Sequence, residues 1–110
     1  MSNEIEIDLA KFGGPVYTGR DRGESIREKN NLDKIDQDPS TNVIILVPDN
    51  AFSLNSSFFL GLLGKSIRAA GSREKFLAKF KFKKPPHIEE YIDSGIERAL
   101  LERTSLLSKN

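Results

Sequence analysis

The chain has 110 residues, which is the size of one domain, and 37% of them are hydrophobic, enough for one modest core. Its 17 lysines and arginines nearly balance its 16 aspartates and glutamates, so a net charge of +1 excludes the strong global field that marks nucleic-acid binding. The absence of cysteine excludes disulfides, thiol chemistry and the usual zinc clusters. We expect a single domain over residues 1–103 and a mobile tail over 104–110. The polar start and the lack of a long apolar run predict a cytoplasmic protein with no membrane partner.

The chain begins with a strand pattern. Charged and aliphatic residues alternate from Glu4 to Leu9, which predicts a half-buried strand with its aliphatic side chains toward the core. Gly13-Gly14-Pro15 predicts a turn, and Val16-Tyr17-Thr18 is long enough for a second strand that returns as a hairpin partner.

A helix with few aliphatic residues follows, and it should end before Asp38-Pro39 because proline disfavours continuation. Its start carries Arg20, Arg22 and Arg27. One interpretation is a solvated helix start neutralised by neighbouring carboxylates. The other is an arginine fork that binds a carboxylate or phosphate of a partner.

The run from Val43 to Val47 is continuously apolar and rich in β-branched residues, which predicts a central strand covered on both faces. After a polar turn, Asn55 or Ser56 can cap a helix that Gly71 ends. Gly61 and Gly64 lie inside this helix, where they would allow close approach to a neighbouring element.

The start of this helix is the first candidate site. Unpartnered backbone N–H groups and the positive end of the helix dipole favour anions there, next to the hydroxyls of Ser56 and Ser57. A serine at this position is most often only a cap. Phe58 and Phe59 follow at once, and we expect at least one of them to be exposed as a contact for a protein partner.

The remaining elements are a short helix capped by Ser72, an edge strand and a long final helix. Phe80-Lys81-Phe82-Lys83 alternates, which predicts a strand with the rings inward and the lysines outward. Pro85-Pro86 precedes a helix with aliphatic residues at helical spacing, and from Thr104 we expect that helix to fray. His87 has no ligand at metal spacing, so no metal is expected.

The segment from Phe52 to Gly64 resembles the turn and helix of STAS domains, the fold of bacterial anti-sigma-factor antagonists. Those domains have a buried strand, a turn with Asp-Ser-Ser-Gly or similar, and an apolar helix. The segment is closer still to the small STAS-like proteins of uncharacterised function, whose turn reads Thr-Ser-Ser-Phe or a near variant. The similarity continues in the residues from Glu74 to Phe82 and in the final helix, so it covers about 16–101. Two departures are Asn55 in place of aspartate and Phe58 in place of glycine.

The resemblance implies an α/β fold, a small mixed sheet of about four strands with helices mainly on one face. It also implies a non-enzymatic regulatory module that docks a histidine-kinase-like ATPase, with Ser56 as the phosphorylated serine and Ser57 as a second candidate. The expected partner surface is Asn55, Ser56 and Phe58, with Arg20, Arg22 and Arg27. No cofactor is expected. The alternative is a module that senses a nucleotide or another small anion at the same helix start, and a third hypothesis is nucleic-acid binding by the lysines from Lys79 to Lys84.

Overall fold

The computed structural model describes the backbone of residues 3–108 and the side chains of residues 3–102, and these residues form a mixed α/β domain. Its strands are β1 Asn3–Asp8, β2 Val16–Tyr17, β3 Thr41–Leu46, β4 Ser53–Leu54 and β5 Phe80–Lys83. Its helices are α1 Arg20–Lys29, α2 Leu32–Ile35, α3 Ser56–Ala70, α4 Arg73–Lys79 and α5 Glu89–Ser108. Two 3-10 turns, Leu9–Phe12 and Pro86–Ile88, lie between these elements. No helix in the described residues is both long and apolar enough to cross a membrane.

The main sheet has three strands in the order β1-β3-β5, all parallel, so the prediction that the apolar run forms the central strand is confirmed. Both crossovers, from β1 to β3 and from β3 to β5, advance across the sheet in the same direction. Because such crossovers are right-handed, their helices lie on one face. The last helix, α5, packs on α3 in the same layer. Among the described residues no helix therefore lies on the other face, and β3 is not covered on both faces as predicted. Val43 and Ile45 are buried, whereas the alternating Ile44 and Leu46 are half-buried.

The predicted hairpin between the first two strands is wrong. β2 pairs in parallel with β4, and together they form a separate two-stranded sheet. The cause is the 3-10 turn directly after β1, capped by Asp8, which redirects the chain before Val16. Tyr17 is buried there, and its hydroxyl lies 2.8 Å from the carbonyl oxygen of Gly13. The predicted mixed sheet is therefore two parallel sheets.

The predicted first helix is divided into α1 and α2. The chain breaks at two asparagines: the side chain of Asn30 donates to the carbonyl of Ile26, and Asn31 adopts a left-handed conformation at φ 53°. Asparagine tolerates that conformation better than most residues, which explains why the break occurs here.

Helix α3 is the centre of the helical layer. It packs on α1 through two glycines at backbone contact. A Cβ on Gly61 would lie 2.2 Å from the carbonyl oxygen of Arg20, and one on Gly23 would lie 2.2 Å from that of Phe58. The close approach predicted for Gly61 is therefore confirmed. Gly64 meets only the flexible end of Arg68, so the prediction for Gly64 is wrong.

The C-terminal third follows the sequence pattern. Ser72 caps α4, and β5 is an edge strand with Phe80 buried and Lys81 and Lys83 exposed. The backbone of α5 is helical through Ser108, so the predicted tail over 104–110 begins inside this helix. Residues 109–110 of that tail lie outside the described residues, and the mobility of the tail stays a prediction.

Candidate functional site

Asn55 is the N-cap residue of α3 and organises the start of this helix. The side-chain oxygen of Asn55 accepts a hydrogen bond of 2.9 Å from the backbone N–H of Ser57, and the Asn55 carbonyl accepts from Phe59 N–H. Asn55 is itself held by its own N–H, which donates to the carbonyl of Tyr17 in β2. Asparagine thus performs the capping role that aspartate would perform, without the negative charge. Ser57 is exposed and Ser56 is half-buried.

The exposed aromatic residue at this position is Phe52. Phe58 and Phe59 are 0% and 1% exposed, because they form the part of α3 that packs into the core. Phe58 lies against Tyr17, with ring centroids 5.4 Å apart, and Phe59 stacks on Phe82. Phe58 therefore drops out of the predicted partner surface. Phe52 is 72% exposed, the most exposed of the large hydrophobic residues described.

Phe52 has an exposed apolar neighbour. Its N–H donates to the carbonyl of Pro15, and the next residue, Ser53, pairs with Val16, which is 44% exposed. Two apolar side chains from adjacent chain segments thus face solvent beside the first turn of α3. Exposed aromatic side chains beside polar groups are frequent anchors in protein interfaces.

A cation from the last helix also reaches this position. The guanidinium of Arg98 in α5 donates a hydrogen bond of 3.3 Å to the hydroxyl oxygen of Ser56. We use the name α3 N-terminal surface for Val16, Phe52, Asn55, Ser56, Ser57 and Arg98. It combines two exposed apolar side chains, two hydroxyls, a helix N-terminus and one positive charge.

The three arginines of the predicted fork do not act together. Arg20 is exposed, and Arg22 is exposed with its guanidinium donating to the Phe12 carbonyl. Arg27 is 5% exposed, so it too drops out of the partner surface. The structure places it between α1, the α2 region and α3.

Arg27 forms a satisfied ionic cluster. Its five N–H donors all have acceptors: Asp33 takes two, and Asp36, the Leu62 carbonyl and the Ser66 hydroxyl take one each. The hydrogen bond from Arg27 lowers the pKa of Asp33. Such an arrangement connects elements that are distant in sequence, and it leaves no donor for a partner.

Two cavities lie away from the α3 N-terminal surface. One, of about 510 Å³, is a groove between α1, α2 and α3. Its lining includes the basic residues Arg20, Arg27, Lys34, Lys65 and Arg68 and the acidic residues Glu24, Glu28 and Asp33. The other, of about 660 Å³, is a shallow depression beside β1 near Ile5. In the first cavity the basic residues outnumber the acidic ones, but Arg27 is paired with Asp33 and Arg68 with Glu102.

The lysines of the third hypothesis have other contacts. Lys79 donates to the carbonyl of Asp38, and Lys84 pairs with Glu89. Phe80 is 1% exposed, so it offers no stacking surface to a base.

The ring nitrogen Nε2 of His87 lies 2.7 Å from the carbonyl oxygen of Ala51. Among the residues whose side chains are described, no cluster of three or more metal-ligating side chains is found.

Comparison of the chain with protein-family models, with curated proteins and with solved structures returned no significant match.

Sequence patterns missed three residues of the α3 N-terminal surface, Val16, Phe52 and Arg98, and Val16 was predicted only as part of a strand. Phe52 follows a turn and does not belong to the apolar face of α3. The sequence therefore did indicate that Phe52 has no position in the core. Arg98 lies 42 residues after Ser56 on another helix, and no local pattern connects them.

Proposed function

We propose that the protein is a non-enzymatic regulatory interaction module and that a protein partner docks on the α3 N-terminal surface. The observation that carries the proposal is the 72% exposure of Phe52 directly before the capped start of α3. An aromatic side chain contributes a large apolar area at low entropic cost when a partner covers it. The polar groups of Asn55 and Ser57 would supply the surrounding hydrogen bonds.

The partner class comes from the resemblance to anti-sigma-factor antagonists, which implies a histidine-kinase-like ATPase. Phe52 replaces Phe58 as the proposed aromatic contact, because Phe58 is buried. Arg20 and Arg22 remain proposed rim contacts, since both are exposed. Rim charges influence association rate and salt dependence more than they influence affinity.

Phosphorylation of Ser56 or Ser57 would control docking. A phosphate adds between about 1.5 and 2 negative charges at neutral pH. At Ser56 these charges would meet the guanidinium of Arg98 and the positive end of α3, so the fold would tolerate them. Removing water from the added charge against an apolar partner surface would cost free energy. Docking would therefore weaken, and the domain would stay folded.

The test is a pull-down from the native host with the unmodified chain and with Phe52→Ala as baits. The matched control is Leu101→Ala, because Leu101 is also an exposed hydrophobic residue, at 60%, and is not a member of the α3 N-terminal surface. We expect an ATPase of the histidine-kinase-like class to be retained by the unmodified chain and the control and lost with Phe52→Ala. Equal retention by all three baits would show that the partner docks elsewhere.

Intact-mass measurement of the recovered bait tests the regulation. An added phosphate at Ser56 or Ser57, together with loss of the partner from Ser56→Asp, would support the switch. An unaccompanied and unmodified bait would contradict the docking proposal and would favour the sensing alternative, for which thermal-shift measurements with nucleotides are the direct assay.

A further inference from the structure

We propose that the open face of the three-stranded sheet is the interface of a homodimer, in which acidic β1 of each copy faces basic β5 of the other. We use the name outer sheet face for the side chains that point away from the helices. They are Glu4, Glu6 and Asp8 of β1, Asn42, Ile44 and Leu46 of β3, and Lys81 and Lys83 of β5. This proposal is independent of the partner proposed for the α3 N-terminal surface.

The first argument is that this face is unusual for a parallel sheet. Parallel sheets occur almost only with both faces covered. Here the helices lie on one face, and Ile44 and Leu46, in the central strand of the other, are half-buried and lie outside the hydrophobic core. A second layer of protein would cover these two aliphatic side chains at the centre of the open sheet face.

The second argument is the arrangement of charge. The strand register places Glu6, Ile44 and Lys81 in one row across the sheet, and Asp8, Leu46 and Lys83 in another. Each row therefore runs from acid through aliphatic to lysine. The acid and the lysine of one row are separated by two strand spacings, about 10 Å, with an aliphatic residue between them. Their side chains leave the sheet in the same direction, so within one copy they do not point at each other. Within the described residues, Lys81 donates to the Leu77 carbonyl, and no ion pair joins the rows' acids to their lysines.

The third argument is that this pattern is complementary to itself in one orientation. A two-fold axis running roughly along the strands exchanges the two edges of the sheet and keeps each row at its own level. Glu6 of one copy then faces Lys81 of the other, and Ile44 faces its own equivalent. Packed sheets are separated by about 10 Å, a distance that a lysine and a glutamate side chain span together. An axis across the strands would instead place acid against acid and lysine against lysine.

The size of the face sets the expected strength. Three strands of six residues or fewer cover about 14 by 20 Å, or about 280 Å² per copy, well below the about 800 Å² per partner of a standard interface. We therefore expect a weak dimer, with a dissociation constant of about 100 µM and an affinity that falls as salt rises.

A charge-exchange experiment tests the interface. Sedimentation equilibrium of the unmodified chain up to about 1 mM should show a monomer–dimer equilibrium with a dissociation constant near about 100 µM. Glu6→Lys places lysine against lysine and Lys81→Glu places acid against acid, so each variant alone should be at least about tenfold weaker. An equimolar mixture of the two variants should recover the dimer, because the exchanged charges then meet opposite charges across the two-fold axis. Circular dichroism would establish that both variants are folded.

The control is Glu97→Lys, which makes the same charge change at an exposed position of α5, away from the sheet. It should leave dimerisation unchanged. A chain that is monomeric at about 1 mM would overturn the proposal, and so would a dimer that survives Lys81→Glu. Failure of the mixture to recover association would overturn the two-fold arrangement.

Discussion

Replacing Gly61 with alanine should be strongly destabilising, although alanine is the better helix former. The new Cβ would lie 2.2 Å from the carbonyl oxygen of Arg20 and 3.0 Å from its carbonyl carbon. Ordinary carbon contacts begin at about 3.5 Å, so α1 and α3 would have to separate by about 1 Å. Both sides of this contact are helix backbone, which cannot rotate aside as a side chain can.

The expected magnitude follows from two opposing effects. Overpacking costs about 1–3 kcal/mol, and we take the upper value, about 3 kcal/mol, because the obstacle is backbone. The gain in helix propensity returns about 1 kcal/mol, so the free energy of unfolding should fall by about 2 kcal/mol. Gly64→Ala is the matched control: it lies on the same helix, and its Cβ would meet only the guanidinium of Arg68 at 3.3 Å. That variant should be neutral or more stable by up to about 1 kcal/mol.

Urea unfolding followed by circular dichroism measures both variants, with an unchanged m value as the sign that two-state behaviour is kept. The two alanine variants should differ by about 2–3 kcal/mol in unfolding free energy. A second comparison uses Gly23, whose Cβ would clash with the Phe58 carbonyl from the opposite side of the same contact. The double variant should lose less than the sum of the single losses, since the first alanine has already separated the helices. Equal stability of Gly61→Ala and Gly64→Ala would refute the backbone contact.

Two further predictions concern the charged groups. Arg27→Ala should lower the free energy of unfolding by about 3–5 kcal/mol, because it leaves Asp36 half-buried without its ion pair. Arg20→Ala on the same helix should change that free energy by less than about 0.5 kcal/mol. Comparable losses in the two variants would contradict the ionic cluster of Arg27. The pKa of Asp38 is lowered to about 2 by hydrogen bonds from the Ser40 hydroxyl, the Thr41 hydroxyl and the Ser40 backbone. A lowered carboxyl pKa contributes stability above about pH 4, the unfolded value, and that contribution is lost as the pH falls towards 2. The difference in urea midpoint between the unmodified chain and Asp38→Asn should therefore shrink between neutral pH and about pH 2.5, and a constant difference would contradict the assignment.

The elements with a strong local pattern were predictable. A continuous apolar run indicated the central strand β3, apolar residues at helical spacing indicated the buried helix α3, and alternation indicated β5 with its rings inward. In these segments the local preference of the chain agrees with the element that forms, so the local pattern is enough to predict it. The function and family suggested by the turn at Asn55 stay predictions.

Two of the wrong predictions share a cause. Val16 to Thr18 has the composition of a hairpin strand, but the 3-10 turn before it directs it to β4. Phe58 follows the polar turn directly, yet it points into the core because the Asn55 cap sets the angle at which α3 begins. In both cases a turn geometry that composition does not reveal decided the outcome.

The sequence by itself therefore determined the longer elements with a clear pattern, β1, β3, β5, α3 and α5, and the Ser72 cap of α4, because those choices depend on neighbours a few positions away. It did not predict β4 or the division of the first helix into α1 and α2. Only the tertiary structure decided that β2 joins β4, that Arg27 is buried while Phe52 is exposed, and that Arg98 reaches Ser56. It also aligned acid, aliphatic and lysine in rows across the sheet. These outcomes depend on how distant segments meet in space. Backbone contacts, the desolvation of buried groups and the register between strands select them, and these arise only when the segments are packed together.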